Sequence, residues 1–144
     1  MRMFEDSKVA ARISVQDLKR AKAFYAEKLG LQPSEERPGG LLYRCGEAEF
    51  VLFESADAAS GEHTQMSWEV EDIEATVEWL RGCGVVFEEY DFPGLRTVND
   101  IAEVRDSEGK LFGKGAWFRD SEGNLLGIGQ PIDELRRTML GPGR

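Results

Sequence analysis

Few residues in this sequence have the type and spacing that chemistry demands. There is one histidine, His63, and there are two cysteines, Cys45 and Cys83. A serine or cysteine nucleophile needs a base beside it, and His63 has no evident placement against Cys45 or Ser67. The cysteines lie in unrelated segments without C-x-x-C spacing, which argues against a disulfide framework or a thiolate metal site and reads as small buried hydrophobes. Carboxylates are plentiful, yet no pair is assignable as acid and base. The acidic turn DSEGN lacks the ligand spacing of a calcium loop and reads as a plain glycine-containing turn. The GIGQ stretch after it has neither the third glycine nor the following helix of a phosphate loop. The one feature that asks for an explanation is a gap: the strand NLLGIGQ breaks into glycine at Gly127, where a short apolar strand ordinarily carries a side chain.

The elements that would position such residues follow from period. VAARISV alternates apolar and polar and suits a strand with one buried face. QDLKRAKAFYAEKLG reads as a helix: Asp17 is the N-cap, Leu18, Ala21, Phe24, Tyr25 and Leu29 recur at helical spacing, and Gly30 is the stop. GLLYRCG and EAEFVLFES, split by Gly46 and Glu47, read as a hairpin. The order then repeats, with QMSWEV as a strand, EDIEATVEWLRGCG as a helix capped by Asp72, VVFEEYDF as a strand, and KGAWFRD and NLLGIGQ as a hairpin about SEGN. Val15 matches Val70, Asp17 matches Asp72, Ala21 matches Thr76 and Phe24 matches Trp79 at one constant spacing. This is an internal duplication. The segment from Phe92 to Gly115, glycine-rich and charged, reads as a strand with flexible loops that could lie over a site. The end, IDELRRTML, reads as a short helix.

Each half, a strand, a helix and about three strands, is too small to close a core alone. The expectation is an α+β fold in one domain spanning 1–144, with two tandem βαβββ modules at about 8–56 and 63–131 and a short tail at 132–144. Their sheets would combine into a curved mixed sheet around a cleft, with the helices outside. At 144 residues, 41% hydrophobic and 31% charged, the chain has the size and composition of one soluble domain, and no apolar run is long enough to span a membrane. A net charge of −9 disfavours nucleic acid, because phosphate binding needs a clustered basic surface. The first residues lack the apolar centre of a secretion signal, so the expected location is cytoplasmic.

Four pieces, ISVQDLKRAKAFYAEKLGLQP, WEVEDIEATVEWLRGCGVVF, EFVLFE and GAWFRDSEGNLLGI, resemble the vicinal oxygen chelate superfamily, the glyoxalase, bleomycin resistance protein and extradiol dioxygenase group. The resemblance spans roughly Ala10 to Gln130, and its most specific parts are V-x-D-L followed by FY and LG, and F-x-D-x-x-G-N. It implies the same paired-module fold. In metal-using members it also implies four ligands, which fall here on Ala10, Gln65, a position near Phe53, and Gly127. The side chain missing at Gly127 would thus have been a metal-binding carboxylate. Ala, Phe and Gly supply no donor and Gln65 offers one weak carbonyl, so the family's metal site reads as erased and no cofactor is expected. The alternative, a divalent metal, would draw on His63, which shares the strand face of Gln65 about 7 Å along it, and on Glu54, which a one-residue shift turns to the opposite face.

If the ligand positions face the cleft, their period-two neighbours do too. The cleft is then lined by Arg12 and Phe53 from the first module and by Gln65, Ser67, Glu69 and Trp117 from the second. Trp117 is placed there because Phe118 holds the core position in F-x-D. Aromatic walls with one cation and one amide are the composition of a small-molecule pocket. Other readings stay open: Trp117 and Phe53 as interior filling, Arg12 paired with Glu69, and Tyr43 and Phe92 as core, rim or lid. Three functions follow from this. The first is a metal-independent binder of a small, partly apolar molecule, resembling the bleomycin-resistance type, which the resemblance implies to be a homodimer. The second is a metal-dependent lyase, isomerase or dioxygenase of the glyoxalase group, in which a Lewis-acidic metal would hold substrate oxygens. The third is a protein-interaction or regulatory module.

Overall fold

The computed structural model describes residues 3–56 and 61–131. The expected tail helix IDELRRTML lies outside them. The chain divides into two compact units, Met1–Gly61 with Asp120–Asn124, and Glu62–Arg119 with Leu125–Arg144.

Unit one runs β1 (Ala10–Val15), α1 (Leu18–Leu29), β2 (Glu35–Arg37), β3 (Gly40–Cys45) and β4 (Ala48–Glu54). Asp17 is extended, and its carboxylate accepts from Arg20 N at 3.0 Å, satisfying one of the amides that a helix start leaves open. At the other end Gly30 takes the left-handed conformation, φ 70°, and the amides of Gly30 and Leu31 return to Ala26 O and Tyr25 O. A side chain is disfavoured in that conformation, which is why the helix stops at glycine. The strands order β1-β4-β3-β2, with β1 parallel to β4 and the others antiparallel. Alternation gives the sheet two unlike faces. On one, Ile13, Val15, Leu41, Tyr43, Phe50 and Leu52 are buried with Tyr25 of α1. Tyr43 and Phe50 stack at 4.9 Å, and Tyr25 lies 5.6 Å from Tyr43.

Unit two runs β5 (Met66–Glu69), α2 (Ile73–Gly82), β6 (Asp91–Phe92), β7 (Leu95–Val98), β8 (Ile101–Arg105), β9 (Leu111–Arg119) and β10 (Leu125–Pro131). Asp72 caps α2 through Ala75 N at 3.1 Å, as Asp17 does for α1. The order β5-β10-β9-β8 repeats β1-β4-β3-β2, down to the parallel pairing of first and last strand. Both sheets are mixed and open. The α+β fold and its tandem βαβββ modules are therefore as the sequence predicts.

Two local expectations need correction. VVFEEYDF is not one strand: Phe87 makes a single bridge to Phe118, Val86 is 83% exposed, and only Asp91 and Phe92 join a ladder. The segment from Phe92 to Gly115 is mostly sheet, holding β7, β8 and the start of β9. Asn99 and Asp100, at φ 52° and 72°, turn the chain between β7 and β8 in a two-residue hairpin loop. Arg81 of α2 holds that loop, donating to Asp100 Oδ2 at 2.7 and 3.0 Å and to Asn99 O at 2.8 Å. Among the described residues no helix is long and apolar enough to cross a membrane.

Candidate functional site

Each sheet turns the face away from its buried core toward the residues that the sequence singles out. In unit one the ladders place Arg12 opposite Val51, Val51 opposite Leu42, Ser14 opposite Phe53, and Phe53 opposite Gly40. Arg12 is exposed, while Ser14, Leu42, Val51 and Phe53 are half-buried. Arg12 and Phe53 come together, with the guanidinium carbon 5.0 Å from the ring centroid, a distance at which the ring's negative face attracts a cation. Beyond them on the same face, Arg44 and Glu49 form an ion pair at 2.8 Å. Ser14 Oγ is buried without a hydrogen-bond partner. Glu54 is exposed at the end of β4.

In unit two the corresponding face has a floor of glycine. Gly127 lies opposite Ser67 on one side and Trp117 on the other, and Gly129 lies opposite Glu69 and Gly115. A Cβ at Gly115 would meet the Trp117 indole at 3.0 and 3.1 Å. One at Gly127 would meet Ser67 Oγ and Trp117 Cδ1 at 3.3 Å and Thr64 Cγ2 at 3.4 Å. The indole lies across both glycines, and its edge-to-face partner is Tyr90, 5.7 Å away. Phe118 is buried in the opposite direction against Phe87. Gln65 donates its backbone amide to Leu125 O at 2.7 Å, and its side-chain Nε2 lies 3.3 Å from His63 Nε2 in an exposed segment. Ser67 and Glu69 also line a recess of about 410 Å³ with Phe112, Gly129 and Pro131, within the size range of small-molecule pockets.

These positions do not fit a divalent metal. In register, the residue of unit one that matches Gly127 is Val51, opposite Arg12 as Gly127 is opposite Ser67, and Phe53 lies one pair further along. Neither valine nor phenylalanine has a donor, and Ala10 and Gly127 add none. Among the described residues no group of three or more His, Cys, Asp or Glu side chains could hold a metal ion.

Sequence reasoning missed Tyr90 as the wall behind Trp117, because VVFEEYDF read as a regular strand. It also left the turn F-x-D-x-x-G-N without a role. Within unit one, Tyr25 OH donates to buried Asp120 Oδ2 at 2.8 Å, and Asn124 Nδ2 donates to Asp120 Oδ2 and Ser14 O. Burial, and then the neighbouring Asp120 charge, pushes the Tyr25 phenol far above its ordinary range. Glu122 accepts from the amides of Gln16 and Asp17 and holds Arg20 bidentately at 2.7 and 2.9 Å, and this hydrogen-bonded guanidinium draws its carboxyl down to about 2. The motif's acids are thus committed to structure.

The family model described as Glyoxalase/Bleomycin resistance protein/Dioxygenase superfamily matches residues 9–128. Among solved structures, a glyoxalase/bleomycin resistance protein/dioxygenase from Alicyclobacillus acidocaldarius superimposes with a TM-score of 0.64 at 17% identity, covering 90% of this chain and 95% of its own. A lactoylglutathione lyase from Agrobacterium tumefaciens does so with a TM-score of 0.58 at 20% identity, over 87% and 93%. TnmS3, an antibiotic binding protein from Streptomyces sp. CB03234, gives 0.57 at 22%, over 88% and 98%. No curated protein is significantly similar to the chain.

Proposed function

The chain belongs to the glyoxalase/bleomycin resistance protein/dioxygenase superfamily, and from that premise we propose that it binds a small, partly apolar molecule without a metal. The observation that carries this reading is the Trp117 indole lying across Gly115 and Gly127. Where the resemblance implies a metal-binding carboxylate, this chain has an aromatic surface on a glycine floor. Apolar walls with few placed polar groups are the composition of a small-molecule pocket. Arg12 and Phe53 on the open face of unit one, and Gln65, Ser67, Glu69 and Trp117 in unit two, are the residues we assign to ligand contact. The antibiotic-binding activity of a structural neighbour supports the same class of function. We also propose a homodimer, for which the exposed Val86, Phe92 and Val98 of unit two supply apolar surface.

The test has two parts. Elemental mass spectrometry after dialysis against nickel, zinc, cobalt, iron and manganese should find near-zero metal per chain. Occupancy near one, lost in His63→Ala, would overturn the metal-free reading in favour of a glyoxalase-like enzyme. A thermal-shift screen of drug-like compounds should then find ligands whose effect disappears in Trp117→Ala. A screen in which no compound raises the midpoint would remove small-molecule binding itself.

A further inference from the structure

Eight arginines lie among the described residues, and seven of them hold a carboxylate: Arg20, Arg37, Arg44, Arg81, Arg96, Arg105 and Arg119. Arg12 makes no ion pair among the described residues. The chain carries 27 acidic against 18 basic side chains, so carboxylates are in excess and an arginine without one stands apart. Its guanidinium is held over Phe53 instead. Such stacking orients the group and leaves its N–H donors for a partner in the guanidinium plane, where a carboxylate fits two at once.

A second, independent observation lies one register pair away. Ser14, opposite Phe53, keeps its strand fixed by accepting from Asn124 Nδ2 at its carbonyl, while its hydroxyl is buried and unpartnered. A buried hydroxyl without a partner costs free energy, and an added acceptor would remove that cost. Arg12 stacks on the Phe53 ring and Ser14 is the cross-strand partner of Phe53, and the strip beside them is apolar, formed by Val51 and Leu42. The carboxylates further across this face, Glu49 and Glu35 opposite Leu42, are engaged by Arg44 and Arg37.

We propose that this face of unit one is a receptor for a planar aromatic carboxylate. Arg12 and Ser14 take the carboxylate, and Phe53, Val51 and Leu42 take the ring. The inference rests on the small-molecule binding proposed above and names its ligand class: an acid rather than a neutral or cationic aromatic. The matching position in unit two is Ser67, so the preference belongs to one module only.

Isothermal titration of the full chain with naphthoate, naphthamide and naphthylmethylammonium tests this. Naphthoate should bind at least about tenfold more tightly than the amide, as a charge-assisted pair predicts, and more weakly as sodium chloride rises. Arg12→Gln, at an exposed position, should remove the difference in affinity between naphthoate and the amide. Ser14→Ala should weaken naphthoate by about two- to tenfold. Equal binding of acid and amide, an acid preference that survives Arg12→Gln, or no heat with any of the three probes would each overturn the assignment. Equal binding lost in Phe53→Leu would leave small-molecule binding standing, whereas only the failed library screen removes that reading.

Discussion

The two modules share a backbone plan and differ in what they spread upon it. Strand order, parallel closure of first on last strand, and the aspartate at each helix start are common to both. The cores are not. Unit one is centred on Tyr25, Tyr43 and Phe50, with the Tyr25 hydroxyl tied to buried Asp120. Unit two is centred on aliphatic residues from α2 and β10, with one edge-to-face pair, Phe87 and Phe118. The open faces differ more. Unit one presents side chains, Arg12 and Phe53 among them, whereas unit two presents glycines covered by one indole. A duplicated chain keeps the features that set its backbone and is free to vary the faces that meet other molecules.

The largest effect expected from this contrast is in the cores. Phe118→Ala should cost about 3–5 kcal/mol in a urea titration, because it opens a cavity in unit two. Tyr25→Phe should cost about 1–3 kcal/mol, because the ring stays while Asp120 loses a donor. Equal losses would mean that the polar and apolar centres are not distinct in kind.

Gly127→Glu, which adds the carboxylate that the family resemblance places there, should destabilise by about 1–3 kcal/mol from crowding against Ser67, Thr64 and Trp117. Combining it with Trp117→Ala should recover part of the loss, a coupling that a double-mutant cycle reads directly. Simple additivity would show that the indole does not occupy that space.

Acid should act on unit one through Glu122. Its carboxyl lies at about 2 in the folded chain against an ordinary 4.5, so its contribution is complete above about 4.5 and is lost as pH falls toward 2. Glu122→Gln should therefore lower the denaturation midpoint at neutral pH and flatten its fall between those two values. An unchanged acid limb would remove Glu122 as its source.

The smallest effects test what the modules share. Asp17→Ala and Asp72→Ala should each cost about 1 kcal/mol, nearly alike, since each removes one N-cap bond of 3.0 or 3.1 Å. A clear difference between them would break the equivalence of the two helix starts.

These comparisons also separate what the sequence disclosed from what it did not. Helix limits were legible because Asp17, Gly30 and Asp72 are local signals with local causes. The face of unit one that carries Arg12, Val51 and Phe53, and the face of unit two that carries Trp117, were each legible because strand alternation has a period of two. The hairpin of β7 and β8 carried its own signal, Asn99 and Asp100 between apolar residues, and it went unread beside the charged, glycine-rich stretch around it. The indole's position over Gly115 and Gly127 was not legible, since register and rotamer depend on neighbours far along the chain. The same holds for Asp120, whose partner Tyr25 is 95 residues away.

That last distance has a consequence in time. Unit one is a first-half module, yet it includes Asp120–Asn124, so two of its structural acids are synthesised after the Glu62–Arg119 part of unit two. On the ribosome, where chains grow at about 5–20 residues per second, α1 is made several seconds before Glu122 arrives to accept from the Gln16 and Asp17 amides that lead into it, and Asp120 to accept from Tyr25. A gene cut after Gly61 would never supply them. The first module is thus begun early and completed late, and neither half has all of its parts until the chain has been translated past Asn124.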